Sequence, residues 1–328
     1  MSKIRARTRR WMLLGATSAS CLAGWSAQAQ TASEPSAVEE VIVTAQRRAE
    51  RLQDVPVAVT ALGQEAIADA GMTSSTDIVA QVPNLQAVNT FGNSTPQFTL
   101  RGVSNTEFNP SSNTPIPIYS DDLLLNNLAA QGFALFDLER VEVLKGPQGT
   151  LFGYNASAGI IHFVSARPTS TLEGRLYASY GSYNDRAANG SVSGPLFGEA
   201  VRGRLAFTAR DGEGYYKNLV NDEPLGEDER WAVRALVDAD LGENTLVQIK
   251  AQTGRFLGQP TMRAAEQAIQ PLTGQVLSGV YDLYSTTQQF ERVKATEASL
   301  RLTHHFDGFD LNIVTGGVFT RTHLPSTT

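Results

Sequence analysis

ERVEVLKGPQGTLFGYNASAGIIHFVSARP, Glu139 to Pro168, joins two short apolar runs through a glycine-rich turn, and the reading of that turn decides the fold. Val141, Val143 and Leu144 suit one buried strand, and Ile160, Ile161, Phe163 and Val164 suit a second. Between them Gly146, Gly149, Gly153 and Gly159 let the backbone turn and approach its surroundings closely. Taken alone, the segment also fits a strand-turn-strand unit of an ordinary soluble α/β domain. The rest of the chain separates the two readings.

Residues 1–29 read as a secretory signal. Lys3, Arg5, Arg7, Arg9 and Arg10 precede an apolar run from Trp11 to Trp25, and Ala27-Gln28-Ala29 supplies a small-residue cleavage site. The run is too short and interrupted for a membrane anchor. Arg9-Arg10 reads as ordinary n-region charge, because a membrane barrel crosses unfolded, and the expected route is Sec export. Cys21 is the single cysteine of the 328 residues and leaves with the signal, so the mature chain is expected to have no disulfide and no cysteine-based metal site. Of 27 basic and 33 acidic residues, five basic ones lie in the signal. The mature balance is therefore 22 against 33, a net charge of −11 that argues against nucleic acid as a partner. No later apolar stretch approaches the roughly 20 residues of a spanning helix, so membrane insertion would use β-strands.

A polar lead, Gln30 to Ser36, is followed by AVEEVIVTAQRRAERLQDVP. Within it Glu40, Val41, Ile42, Val43, Thr44 and Ala45 form a β-prone string in a charged setting. Such a string suits strand addition to a partner's sheet edge, and equally suits the first strand of the next domain. It resembles the TonB box, the segment through which the energy-transducing protein TonB engages outer-membrane receptors.

The following stretch has α/β character. Strands are expected at Val57 to Thr60, Leu85 to Val88, Phe98 to Arg101, Ile116 to Tyr119 and Arg140 to Leu144. Helices are expected at Gln64 to Ala70, stopped by Gly71, at Ser75 to Val82, ended by Pro83, and at Gln131 to Phe136. LQDVPVAVTALGQEAIADAG, VPNLQ, FTLRGV and LFDLERVEVLKGPQGTLFG, with the opening segment, resemble the plug domain of TonB-dependent outer-membrane receptors continuously from about Glu39 to Pro168.

That resemblance implies an active transporter whose plug blocks a barrel of about 22 strands. It implies TonB, outer-membrane lipid and a small-molecule ligand such as an iron-siderophore as partners, with cobalamin, haem and carbohydrates as other ligands of the family. It also implies that Arg101 and Arg140 lock the plug to glutamates of the barrel wall, although each could equally be a solvated arginine at a strand edge. Candidate ligand loops are Phe91 to Thr95, with Phe91 and Asn93, and Asn105 to Asn113, with Asn105, Phe108 and Asn109, together with Asn126 and Asn127. The chain departs from the family in three places. Tyr119-Ser120-Asp121-Asp122 stands where relatives have Tyr-x-Asp-Gly, so a tight glycine turn is expected to be lost. Tyr154 stands where arginine is common, and Ala158 where the first of two glycines is.

From Thr171 the hydrophobic period becomes two. Leu172, Leu176, Ala178 and Tyr180 alternate with Glu173, Arg175 and Ser179, and comparable runs centre on Ala188, Leu205, Trp231, Val247, Ala298 and Leu311. A soluble sandwich would alternate in the same way. Short turns near Gly194 to Glu199, Gly242 to Asn244 and Asp307 to Asp310 alternate with longer polar loops at 212–228 and 255–295, which favours a transmembrane barrel.

The expected organisation is a signal peptide (1–29), a box and linker (30–50), an α/β plug domain (51–168) and the start of a large antiparallel transmembrane β-barrel, about seven strands over 169–328. Seven strands do not close the family's barrel, and the expectation is a truncated sequence. The alternative function is a non-transporting remnant whose plug serves as a periplasmic interaction module. No enzyme is expected. His304 and His305 are neighbours on a strand and diverge, LKGPQGT lacks the ending of a phosphate loop, and Asp121-Asp122 reads as a polar loop, so no catalytic set, metal site or cofactor emerges.

Overall fold

The computed structural model describes residues 42–44, 47–48, 50–88, 95–105, 113–132, 136–153, 155–258, 273–274, 281–283 and 290–323. Residues 1–29, Glu40, Val41, Ala45, Phe91, Asn93, Phe108, Asn109 and Tyr154 lie outside them.

Strand β1 (Ile42–Val43) pairs antiparallel with β2 (Glu50–Arg51). Then follow β3 (Ala58–Gly63), α1 (Gln64–Asp69), a 3₁₀ turn at Ser75–Ala80, and a small meander of β4 (Leu85–Val88), β5 (Gln97–Leu100) and β6 (Val103–Ser104). Next come β7 (Ile118–Ser120), β8 (Leu123–Leu124), α2 (Leu128–Gln131), β9 (Leu138–Lys145), α3 (Gly149–Phe152) and β10 (Gly159–Ser165). The central sheet runs β3-β9-β10-β7-β8, antiparallel except for the parallel β10–β7 pair. The glycine-rich turn thus makes β9 and β10 direct neighbours, with Ile161 opposite Val143. Gly159 is obligatory there, since it has φ +152 and an added Cβ would stand 2.2 Å from the Leu144 carbonyl oxygen.

Ile78, Leu100, Ile116, Ile118, Val141, Val143, Ile161 and Phe163 form the main core of this inner domain. Two expected helices differ in the structure. Ser75–Ala80 is 3₁₀ rather than α, opened by a capping box between Ser74 and Asp77. The third helix is Leu128–Gln131, started by Asn127 Oδ1 accepting from the Ala129 N–H at 2.9 Å; of the helix expected at Gln131 to Phe136, Gly132 and Phe136 are not helical and 133–135 lie outside the described residues.

The second sheet contains β11 (Glu173–Tyr180), β12 (Arg186–Phe197), β13 (Val201–Gly212), β16 (Asp228–Asp240), β17 (Thr245–Gly258), β19 (Glu291–His305) and β20 (Asp310–His323), in that order and all antiparallel. The long connections carry β14 (Tyr216–Asn218), β15 (Pro224–Leu225) and β18 (Asp282–Leu283), which pair with one another. Register places the connections 213–227 and 259–290 at one end of the seven strands and the turns 198–200, 241–244 and 306–309 at the other.

The alternation in this sheet runs inside out. Leu205, Phe207, Trp231, Val233, Ile249, Leu300 and Ile313 face outward and are exposed, while Arg204, Arg234, Asp238, Gln248, Lys250, Gln252 and Glu297 are buried against the inner domain. A soluble sandwich would bury the first set; a lipid-facing wall exposes it. No helix among the described residues is long and apolar enough to cross a membrane, and the strands of this wall are 8 to 15 residues long.

Candidate functional site

The inner domain meets the wall through buried charge. Asp121 and Asp122 form the two-residue turn between β7 and β8, with φ +47 and +68, and the strands pair across it as Ser120–Leu123 and Tyr119–Leu124. The tight turn is therefore kept without glycine, contrary to expectation. Positive φ at both central residues is the type I′ pattern, and aspartate is among the few side chains that tolerate it.

The turn aims both carboxylates at the wall. Lys250 Nζ of β17 donates to Asp121 Oδ2 at 2.7 Å and to Ser120 Oγ at 2.6 Å, and lies 2.8 Å from Glu297 Oε1 of β19. Asp121 also accepts from the Ser165 N–H at 2.8 Å and from its hydroxyl. Burial alone would raise the Asp121 pKa, but the cations Lys250, Arg167 and Arg234 hold it well below the usual carboxylate range. Asp122 pairs with Arg301 of β19. The polar-loop reading of Asp121-Asp122 is thus corrected, because this turn is spent on the wall rather than on water.

A third aspartate repeats the arrangement. Asp137, with φ +48, accepts from Arg204 Nε of β13 at 2.7 Å. Arg234 of β16, 1 % exposed, donates to the Phe136 and Asp137 carbonyls at 2.9 and 3.2 Å and lies over the Phe136 ring at 4.2 Å. Nearer the long connections the inner wall turns apolar, where Ala206, Ala232, Phe256, Val293 and Ala295 pack on Ala129, Ala130 and Phe136.

On the same inner domain Val43 is fully buried among Tyr119, Leu144, Phe152, Ala156 and Ile160. Thr44 donates its N–H to Glu142 Oε1 at 2.8 Å and its hydroxyl to the same carboxylate at 3.1 Å. Burial works to raise the Glu142 pKa, but the His162 ring and the Arg140 guanidinium lower it to about 2.

Residues 51–160 match the family model of the TonB-dependent receptor plug domain. Through this segment the chain is similar to the TonB-dependent receptors. It is 27 % identical over 296 residues to the pesticin receptor of Yersinia pestis, covering 80 % of this chain and 42 % of that protein. It is 26 % identical over 268 residues to a vitamin B12 transporter of Vibrio vulnificus, covering 71 % and 43 %. In fold it resembles the ferric yersiniabactin uptake receptor of Yersinia pestis, with TM-score 0.70 and 22 % identity over 82 % of this chain and 42 % of that one. It also resembles the outer-membrane ferripyoverdine receptor of Pseudomonas aeruginosa, with TM-score 0.71 and 17 % identity over 87 % and 37 %. The chain spans about two fifths of the length of these relatives. Its inner domain is the plug, and its outward apolar sheet is barrel wall suited to an outer membrane.

Arg101 and Arg140, the expected lock residues, sit differently in the plug. Arg140 pairs with Glu139 and with Glu142 (Nε to Oε1, 2.7 Å), both on its own strand β9. Arg101 occupies the tight β5–β6 turn at φ +52, is exposed, and stands beside Lys145, whose pKa falls through burial and Arg101 repulsion. Among the described residues neither meets a wall glutamate. Three plug carboxylates face wall cations, Asp121 with Lys250, Asp122 with Arg301 and Asp137 with Arg204, while plug Arg167 faces wall Asp238 at 4.0 Å. The signal that pointed there was Asp122 in place of the family's glycine.

Of the ligand candidates within the described residues, Asn127 is occupied by its capping role and by donation to Thr320 Oγ1 of β20 at 2.9 Å. Asn126 is exposed and Asn105 is half-buried. A cavity of about 340 Å³ opens between plug residues Thr73 to Asp77 and the long-connection end of the wall. Arg210 there binds Asp185 at 2.8 Å and Thr73 Oγ1 at 3.1 Å, Arg230 pairs with Asp228 at 3.0 Å, and Tyr183 and Tyr215 complete the rim.

Proposed function

We propose that this chain serves TonB-dependent active uptake of a bulky ligand, an iron-siderophore complex before other classes, across the outer membrane of a Gram-negative bacterium after Sec export. One observation carries the reading. A single plug both packs on an inside-out wall through buried ion pairs and holds, against its own sheet, the short strand expected to engage TonB. The outer membrane has no ATP and no ion gradient, so displacing such a plug needs work delivered from the inner membrane. Glu40 to Ala45 would receive that work. Ligand would arrive at the long-connection face, where the cavity beside Thr73 to Asp77 opens; Asn105 and Asn126 are the remaining described candidates.

The test is uptake of radiolabelled ferric siderophores by iron-starved cells carrying the gene that encodes this chain, with and without TonB. TonB-dependent accumulation of at least one siderophore is expected. Accumulation of cobalamin alone would replace the ligand class, and no TonB-dependent uptake of any ligand would leave the plug as an interaction module.

A further inference from the structure

A line of polar contacts crosses the plug from the barrel wall to the box segment. At the wall, Arg301 holds the Asp122 carboxylate and also donates to the Asp121 carbonyl at 3.1 Å. The Asp122 N–H donates to His162 Nε2 at 3.2 Å. Because Nε2 accepts, a neutral ring carries its proton on Nδ1. Nδ1 faces Thr44 Oγ1 at 3.4 Å and Glu142 Oε2 at 3.7 Å. His162 and Glu142 are direct cross-strand partners on β10 and β9, so their side chains share one face of the sheet, and Thr44 is bound on that face. His162 and Glu142 are both essentially withheld from solvent, which leaves water little chance to replace a lost partner. Among the described residues the imidazole is the group that touches both the box segment and the turn gripped by the wall.

We propose that His162 is a positioning residue that couples the hold on the box segment to the Asp122–Arg301 pair. Loosening the turn at the wall removes the donor that fixes the ring. The ring then no longer orients Glu142 toward Thr44, and Val43 and its short strand come free. The reverse also follows, because coupling between two sites is reciprocal. The physiological meaning of this coupling rests on the uptake reading above; its physical content does not.

The test uses the full receptor in isolated outer membranes with Cys21 replaced by serine. Val43→Cys reports opening of the box through its thiol-labelling rate, and Val141→Cys in the main plug core reports general unfolding. Arg301→Gln is expected to raise labelling at position 43 roughly tenfold, the order set by losing one charge-assisted hydrogen bond, and to leave position 141 unchanged. Glu142→Gln should do the same at position 43, and the double variant should exceed neither single one substantially, since both break one line of contacts. His162→Gln, which keeps a group only near Nε2, and His162→Asn, which keeps one only near Nδ1, should each open the box. A wild-type rate at position 43 in Arg301→Gln, or effects that multiply in the double variant, overturns the coupling. If Arg301→Gln also exposes position 141, Arg301→Lys retains the charge and must separate the two rates; if it does not, the coupling is likewise overturned. Uptake in the same cells distinguishes the two readings, because loss of uptake with coupling intact defeats the transport function alone.

Discussion

The plug sheet and the wall sheet both alternate apolar and polar residues, yet they bury opposite sets. In the plug, Val141, Val143, Ile161 and Phe163 are inside. In the wall, Leu205, Trp231 and Ile249 are outside, and Arg234, Lys250 and Glu297 are buried. The plug is held together by removal of hydrocarbon from water, which is non-directional and tolerant. The two parts are held to each other by one apolar cluster and by buried ion pairs, and the ion pairs are directional and costly to break but add little net stability over apolar replacements. An interface of that kind is specific when closed and separable when its partners are pulled apart.

The largest expected effect lies at that interface. Lys250→Ala strands Asp121 and Glu297 without their shared cation, and should destabilise the plug-wall contact by about 3–5 kcal/mol in denaturant unfolding. A triple variant adding Asp121→Asn and Glu297→Gln should recover most of the loss; failure to recover would mean that packing, rather than charge, holds the interface. Ile161→Ala tests the other half of the comparison, with a cost of about 2–5 kcal/mol expected from an apolar cavity. A smaller cost than for Lys250→Ala at equal burial would sharpen the contrast.

Ile249→Arg on the outer wall should cost about 2–4 kcal/mol in lipid, whereas Val88→Arg on the exposed plug meander should stay within about 0.5 kcal/mol. Equal effects at the two positions would break the inside-out assignment.

The smallest expected effect concerns pH. Glu142 faces Arg140, His162 and Thr44, and its pKa is lowered from 4.5 to about 2. Its folded pKa lies below its unfolded one, so its contribution to holding the box is complete above pH 4.5 and is lost as pH falls toward 2. A spin label at Ile42→Cys should gain mobility across that window, and the same label in Glu142→Gln should be mobile throughout.

Much of this was legible in the chain. The glycine-rich turn of Glu139 to Pro168 does join two neighbouring strands, and seven alternating runs do become seven wall strands, because local period and turn chemistry act over a few residues. The helix at Leu128–Gln131 begins before the expected Gln131 because Asn127 caps it. No glutamate of the seven described wall strands meets Arg101 or Arg140, and the carboxylates that a guanidinium at a strand edge meets depend on the fold. Asp121-Asp122 was read as solvated because its cations lie far away in sequence.

The sequence by itself determined the alternation, the succession of a plug-like α/β segment and seven alternating strands, and the β-prone string at Glu40 to Ala45. Only the tertiary structure decided which face of the wall turns inward, since a period of two is unchanged when inside and outside are exchanged. Only the tertiary structure paired Asp121 with Lys250 and Asp122 with Arg301, partners 129 and 179 residues apart. Contacts at that separation are selected by packing of whole sheets, and no local pattern in the chain records them.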